Sequence, residues 1–254
     1  MKYLLYCITR TPPEPPDTVL TGLGGNPVFL ISCQGLSAVL SELPPAPGVP
    51  GGRELLDYNR VIENFHFRHG AIPVRYGSCF SDMSHVHDLL QQQSGQYLVT
   101  LDELTGNLEM SIRLLFRADQ NHFEESSFSL PAATHQDEKG AANGLLTGKG
   151  RAFLAARKKY YGQTDQVSRC YTRATAYYSE VFSACCLRHV FETDEENSLL
   201  SLYFLVPGLR VEHFRETFRG IVKEGKERIM MSGPWPPYNF AKLDHHPIKA
   251  LRPG

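Results

Sequence analysis

The sequence predicts an α+β protein in two domains: a mixed α+β N-terminal domain over residues 1–104 and a ferredoxin-like C-terminal domain, β-α-β-β-α-β, over residues 105–240. Three observations lead there. Apolar residues alternate with others from Leu108 to Phe116, the period of two that marks a strand with one buried face. After it the apolar pattern reads helix, strand, strand, helix, strand, which completes the order of a ferredoxin-like unit. Before it, short apolar runs between Pro- and Gly-rich stretches alternate with helical stripes, an α+β order whose topology the pattern leaves open. The chain's 254 residues suit one large or two modest domains, and a hydrophobic fraction of 42% is enough to build a core.

In the first part, Tyr3 to Ile8 is a continuous apolar run, so it reads as a strand covered on both faces. Thr11–Asp17 is Pro-rich and Gly22–Pro27 Gly-rich, and both read as loops. Val28–Cys33 and Leu36–Leu43 form a hairpin about Gln34-Gly35. Pro44–Gly52 is another exposed loop. Arg53–His69 is a helix whose Leu55, Tyr58, Ile62, Phe65 and His69 paint one stripe. Gly70 follows, where a C-cap favours a residue that tolerates positive φ. Ala71–Tyr76 and Ser78–Phe80 are short extended pieces joined at Gly77. Pro73 removes a donor, which places the first piece at a sheet edge or a strand start. Asp82 can cap a helix running to about Gln93, and Gln96–Leu104 is a second short helix ended by Gly106.

In the second part, the Leu108–Phe116 strand opens a new domain. Residues 118–145 are polar and unpatterned and read as a mobile linker or long loop. A helical region runs from about Leu146 to about Leu187, with Gly162 as a kink or break. Val190–Glu192 is a short strand, Thr193–Asn197 a polar turn, and Leu199–Val206, apolar on both parities, a central covered strand. Leu209–Glu224 is a helix with Val211, Phe214, Phe218 and Ile221 inward, and Glu227–Met231 is the last strand. Residues 241–254 read as a tail.

Composition narrows the function classes. A net charge of −1 supplies no bulk field for nucleic acid or an acidic membrane. Six cysteines without a C-x-x-C pair, and no signal-peptide core before Thr11-Pro12-Pro13, point to reduced thiols packed as small core residues in a cytoplasmic protein. No apolar run approaches the ~20 residues that span a bilayer.

Few residues carry candidate chemistry. His85 and His87, or His66 and His69, could each supply two metal ligands, but no further Cys/His spacing completes a site, and surface and cap histidines are the favoured reading. His245-His246 lies in the tail. Cys79 could be a nucleophile with His85 as base, against the favoured reading of a packed thiol. Lys149, Arg151, Arg157, Lys158 and Lys159 interleave with Phe153, Tyr160 and Tyr161. This run suits an acidic partner or nucleic acid, but a solvated helix face is the plainer account. Pro234-Trp235-Pro236-Pro237-Tyr238 is held extended by its prolines. Its aromatics either anchor a partner or fold back over the chain's own core.

Four segments together resemble the gas vesicle GvpL/GvpF family, closer to GvpF, over nearly the whole chain. They are Met1–Ile8, the Ile72-Pro73-Val74-Arg75-Tyr76-Gly77-Ser78 stretch, Gly150–Arg157, and the closing Ser232-Gly233-Pro234-Trp235-Pro236-Pro237-Tyr238-Asn239-Phe240. The closing run is the most specific. The resemblance implies a non-enzymatic gas vesicle protein, without metal or cofactor. It would be a minor structural component or an assembly factor that binds the hydrophobic major shell protein GvpA and assists vesicle nucleation. It marks Pro73, Arg75, Tyr76, Gly77, Pro234, Trp235 and Tyr238 as partner contacts or structural signature. The alternative class is a small-molecule enzyme or ligand-binding regulator using Cys79 or a His site.

Overall fold

The computed structural model describes residues 2–12, 20–43, 51–116, 168–194, 196–224 and 229–241. Its strands form two antiparallel sheets. The first contains β1 (Lys2–Arg10), β2 (Val28–Cys33), β3 (Leu36–Leu43), β4 (Ala71–Pro73) and β5 (Cys79–Phe80). Their order is β2-β3-β1-β4, with β5 paired to the other end of the β1 edge that β4 occupies. Pro73 thus stands in an edge strand opposite Cys7, where its missing donor costs no inner ladder bond. A bulge between Leu5 and Cys7 flips the parity of β1. Leu5 and Ile8 therefore face one core cluster, while Leu4, Tyr6 and Cys7 face another. That is why the run is apolar throughout.

Helix α1 (Gly52–His69) covers one face of this sheet; α2 (Met83–Gln92) and α3 (Ser94–Leu104) cover the other. The α1 stripe differs from the expected one. Its buried residues are Tyr58, Val61, Ile62, Phe65 and His66, while Leu55 is exposed. The helix is rotated so that Tyr58 can donate to the Leu5 and Val74 carbonyls, both at 2.9 Å. These two acceptors lie between the ladders, so one hydroxyl ties β1 to the end of β4. Asp82 caps α2 as expected, accepting from the Ser84 amide at 2.8 Å.

The second sheet contains β6 (Asn107–Leu115), β7 (Arg188–Asp194), β8 (Leu199–Pro207) and β9 (Ile229–Trp235), in the order β7-β8-β6-β9. With α4 (described over 168–181) and α5 (Val211–Glu224), this is the ferredoxin-like arrangement. Both helices pack on one face, α4 through Tyr171, Ala174 and Tyr178 and α5 through Phe214, against Met110, Ile112 and Phe204. The expected loop at 118–145, the start of the helical region near Leu146, and the tail beyond 241 lie outside the described residues. The last strand is later than expected, because the closing motif supplies its second half, Ser232–Trp235.

The other face of this sheet corrects a sequence expectation. The second parity of β6 is polar and reads as solvent-facing, yet Glu109 is only 4% and Ser111 only 3% exposed. The first sheet's layer covers that end of the face. Leu205, with Val190 and Tyr203 beside it, joins the cluster of Leu5, Ile8, Leu40, Leu101 and Leu104. The two sheets thus share a core across one half of this face.

Candidate functional site

The closing segment divides into an anchor and an exposed aromatic. Pro236 and Pro237 are buried and Phe240 is 2% exposed, with the Arg188 guanidinium 5.2 Å above its ring. The Tyr238 hydroxyl donates to Asn59 Oδ1 on α1 at 2.8 Å. Asn239 donates twice to the Glu109 carboxylate, from its amide and its side chain, each at 2.8 Å. Burial pushes the Glu109 carboxyl above the ordinary carboxylate range, and the Asn239 donors oppose that shift. This segment therefore fills the junction between the sheets. Trp235 points away from it, 40% exposed, with its indole N–H on Ser232 Oγ at 3.3 Å. Gly233 is required upstream: its φ is +114°, and a Cβ there would stand 2.6 Å from the Glu109 carbonyl oxygen. Pro234, joined to it by a cis peptide, is the penultimate residue of β9, just before Trp235.

Beyond the covered half, where Ser111 and Tyr203 form the boundary, no described residue covers the sheet face at Arg113, Leu115 and Met230. Cross-strand partners share a face, so register defines its residues. Ser111 stands opposite Tyr203 and Ser232, and Arg113 opposite Ser201 and Met230. The Ser111 and Ser232 hydroxyls bond each other at 2.7 Å. Tyr203 donates to Glu192 Oε2 at 3.3 Å. Met230 is 56% and Leu115 45% exposed, and Arg113 is exposed as well. The exposed side chains of this face are thus Arg113, with Leu115 two residues along β6 and Met230 opposite, and Trp235 at the Glu109 end of β9 with its indole turned onto Ser232.

The central motif is chiefly structural in placement. Tyr76 packs edge-on against Tyr58, with ring centroids 5.1 Å apart. The Arg75 carbonyl accepts from the Ser78 amide and hydroxyl, and Gly77 turns between them with φ +90°. The Arg75 side chain is exposed. This motif and the open face belong to different sheets, and the structure brings only Tyr76 and Tyr238 together, through the α1 cluster.

The candidate chemistry is dispersed. Cys79 pairs with Leu4 and packs on the Tyr58 cluster, and burial raises its thiol, the opposite of nucleophile activation. His66 is buried between the sheets. Its Nδ1 accepts from the Ala71 amide at 3.2 Å, and Nε2–H donates to the Asn107 carbonyl at 2.8 Å. His85 is exposed on α2, and among the described residues no three His, Cys, Asp or Glu side chains converge on a metal site. The basic run at 149–159 and His245-His246 lie outside the described residues. An open cleft of about 300 Å³ beside His66, Phe67, Gly70, Thr105 and Gly208 offers no buried unpaired polar group.

His66 makes the junction sensitive to acid. Burial holds its pKa below the ordinary 6.5. The unfolded chain therefore binds a proton that the folded chain refuses, and stability falls as pH drops below about 6.5 toward the folded value. The melting temperature of the wild type is expected to drop more steeply between pH 6.5 and 5 than that of His66→Gln. Parallel curves would contradict this.

Arg113, Met230, Leu115 and the Glu109–Asn239 pair escape sequence reading. The period of two in β6 does place Arg113 and Leu115 on one face, but only register sets Met230 opposite Arg113, and Trp235, opposite Glu109, reaches this face through its bond to Ser232.

A family model described as "Gas vesicle synthesis protein GvpL/GvpF" matches residues 2–242. A gas vesicle protein L from Streptomyces sp. (strain CB03234) is 24% identical, over 94% of this chain and 92% of its own length. Two crystal structures share the fold. GvpF from Anabaena sp. PCC7120 superposes with a TM-score of 0.73 at 19% identity, covering 96% of this chain and 98% of that one. GvpF from Microcystis aeruginosa gives 0.69 at 17% identity, with 95% and 99% covered.

Proposed function

Because the chain belongs to the gas vesicle GvpL/GvpF family, we propose that it acts by binding rather than by turnover, as a minor vesicle component or assembly factor. Its partner is the hydrophobic major shell protein GvpA. A shell subunit with large apolar faces aggregates unless those faces are covered before assembly. A rigid, half-open sheet face can cover them and release them to the growing shell.

The observation that carries this reading is the open face itself. Exposed Trp235, Met230 and Leu115 lie on one side of an antiparallel sheet whose other side is filled by its own helices. Large aromatic and methionine side chains on a pre-formed surface are the usual anchors of protein interfaces. The sheet needs no ordering on binding, which lowers the cost of association. None of this calls for a cofactor, and among the described residues no helix is long and apolar enough to cross a membrane.

The test is co-expression with the major shell protein, followed by affinity capture on a tag carried by the present chain. Soluble shell protein that co-purifies is the expected result. Shell protein left in the pellet, with none captured, would sink the capping role.

A further inference from the structure

We propose that the open half of the second sheet takes an apolar segment that carries a carboxylate. Arg113 receives the carboxylate, and Trp235, Met230 and Leu115 take the apolar flank. The assignment rests on the reading of the chain as a binding protein for an apolar partner, and it names both the surface and what the partner must carry.

Charge defines what this face accepts. Among the described residues of this face there are two cations. Arg188, at the covered end, is paired with Glu103 at 2.9 Å. Arg113 is exposed two residues from the end of β6 and has no carboxylate within ion-pair distance among the described residues. Glu192 shares its row, but β8 stands between them, so two inter-strand spacings, roughly 10 Å, separate their backbones. The Glu192 carboxylate is engaged by the Tyr203 hydroxyl. Arg113 therefore presents a guanidinium fork unpaired among the described residues, the geometry that binds a carboxylate through two parallel N–H bonds. Met230 directly opposite and Leu115 two residues along would exclude water from that pair once a partner docks, and a drier pair is a stronger one. A purely apolar partner would bury the guanidinium unpaired, and a basic one would be repelled.

The chain's only tryptophan sits on this face, so its emission reports occupancy. The probes are three synthetic amphipathic peptides with the same leucine stripe and a central Glu, Gln or Lys. Titrated into the full chain, they are expected to bind in the order Glu, Gln, Lys, with about tenfold or more between the first two, as close charge pairs at interfaces give. Arg113→Glu is expected to reverse the order, Arg113→Gln to level it, and Met230→Asp, whose carboxylate would engage Arg113, to weaken the Glu and Gln peptides. Equal binding of the Glu and Lys peptides, an unchanged order in Arg113→Glu, or a silent Trp235 would overturn the proposal. So would failure of acrylamide to quench Trp235 in the free protein. Concentration-independent protection would mean the chain's own residues cover the face, and concentration-dependent protection would mean a second copy does. Shell-protein capture that survives Met230→Asp would remove this face and leave the assembly role standing. Peptide discrimination without shell capture would do the reverse.

Discussion

Gly70→Ala is expected to cost roughly 2–6 kcal/mol of stability, the sum of about 1–3 for backbone strain and about 1–3 for overpacking. Gly70 ends α1 with φ 73° and ψ 139°, a combination essentially reserved for glycine. A Cβ there would stand 2.2 Å from Thr105 Oγ1, 3.0 Å from its Cβ and 3.2 Å from its Cα. The hydroxyl cannot swing away freely, because it donates to the Leu101 carbonyl at 2.6 Å. Gly70 also accepts from Thr9 Oγ1 at 2.7 Å, so a shift of this turn disturbs β1. Chemical denaturation measures the loss. Adding Thr105→Ala is expected to restore only part of it, since the Cβ and backbone contacts and the strain persist. A Gly70→Ala protein as stable as wild type would show that α1 does not meet the α3–β6 turn as described.

Phe240→Ala is expected to cost about 3–5 kcal/mol, the usual range for truncating a buried phenylalanine. For a chain of this size that is roughly a 10 °C fall in melting temperature. Phe240 is 2% exposed and lies in the cluster of Leu5, Ile72, Leu101 and Leu205, which belongs to both sheets. Trp235→Ala, five residues upstream and on the surface, is expected to change the melting temperature by little, because surface substitutions away from special features stay within about ±0.5 kcal/mol. The contrast separates the anchor from the exposed aromatic. Equal losses in the two variants would mean that the closing segment is a single packed unit and that Trp235 is no docking residue.

Much of the fold was legible because local pattern decides it. The alternation in β6 and the element order after it specify a ferredoxin-like unit, and the β2–β3 hairpin has the bounds its apolar runs predict. Asp82 caps α2 for a reason contained in three residues. The double apolar parity of β8 reflects cover on both faces at its Leu205 end, where the first sheet's layer packs on it.

What could not be read depends on distant partners. Glu109 looks like a solvent residue in its strand, and it is buried only because Asn239, 130 residues away, supplies two donors. No spacing rule connects them. The α1 stripe was misplaced by one position of its seam, since the Tyr58 hydroxyl bonds to β1 and Val74 set the helix rotation. The open face was hidden for a related reason. Arg113 and Met230 become neighbours through strand register, which the bulge between Glu109 and Ser111 shifts. In the closing motif, the residues from Pro236 to Phe240 fold back over the chain's own core, while Trp235 is exposed.

A binding role means that this chain caps the shell protein stoichiometrically and does not process it. Light scattering of shell protein diluted from denaturant, titrated with the purified full-length chain, tests it most directly. The account predicts that scattering falls linearly with added chain and reaches its floor at a fixed molar ratio, independent of incubation time. Suppression that is complete far below one chain per shell-protein binding unit and grows with time would indicate turnover and contradict it, as would scattering that never responds.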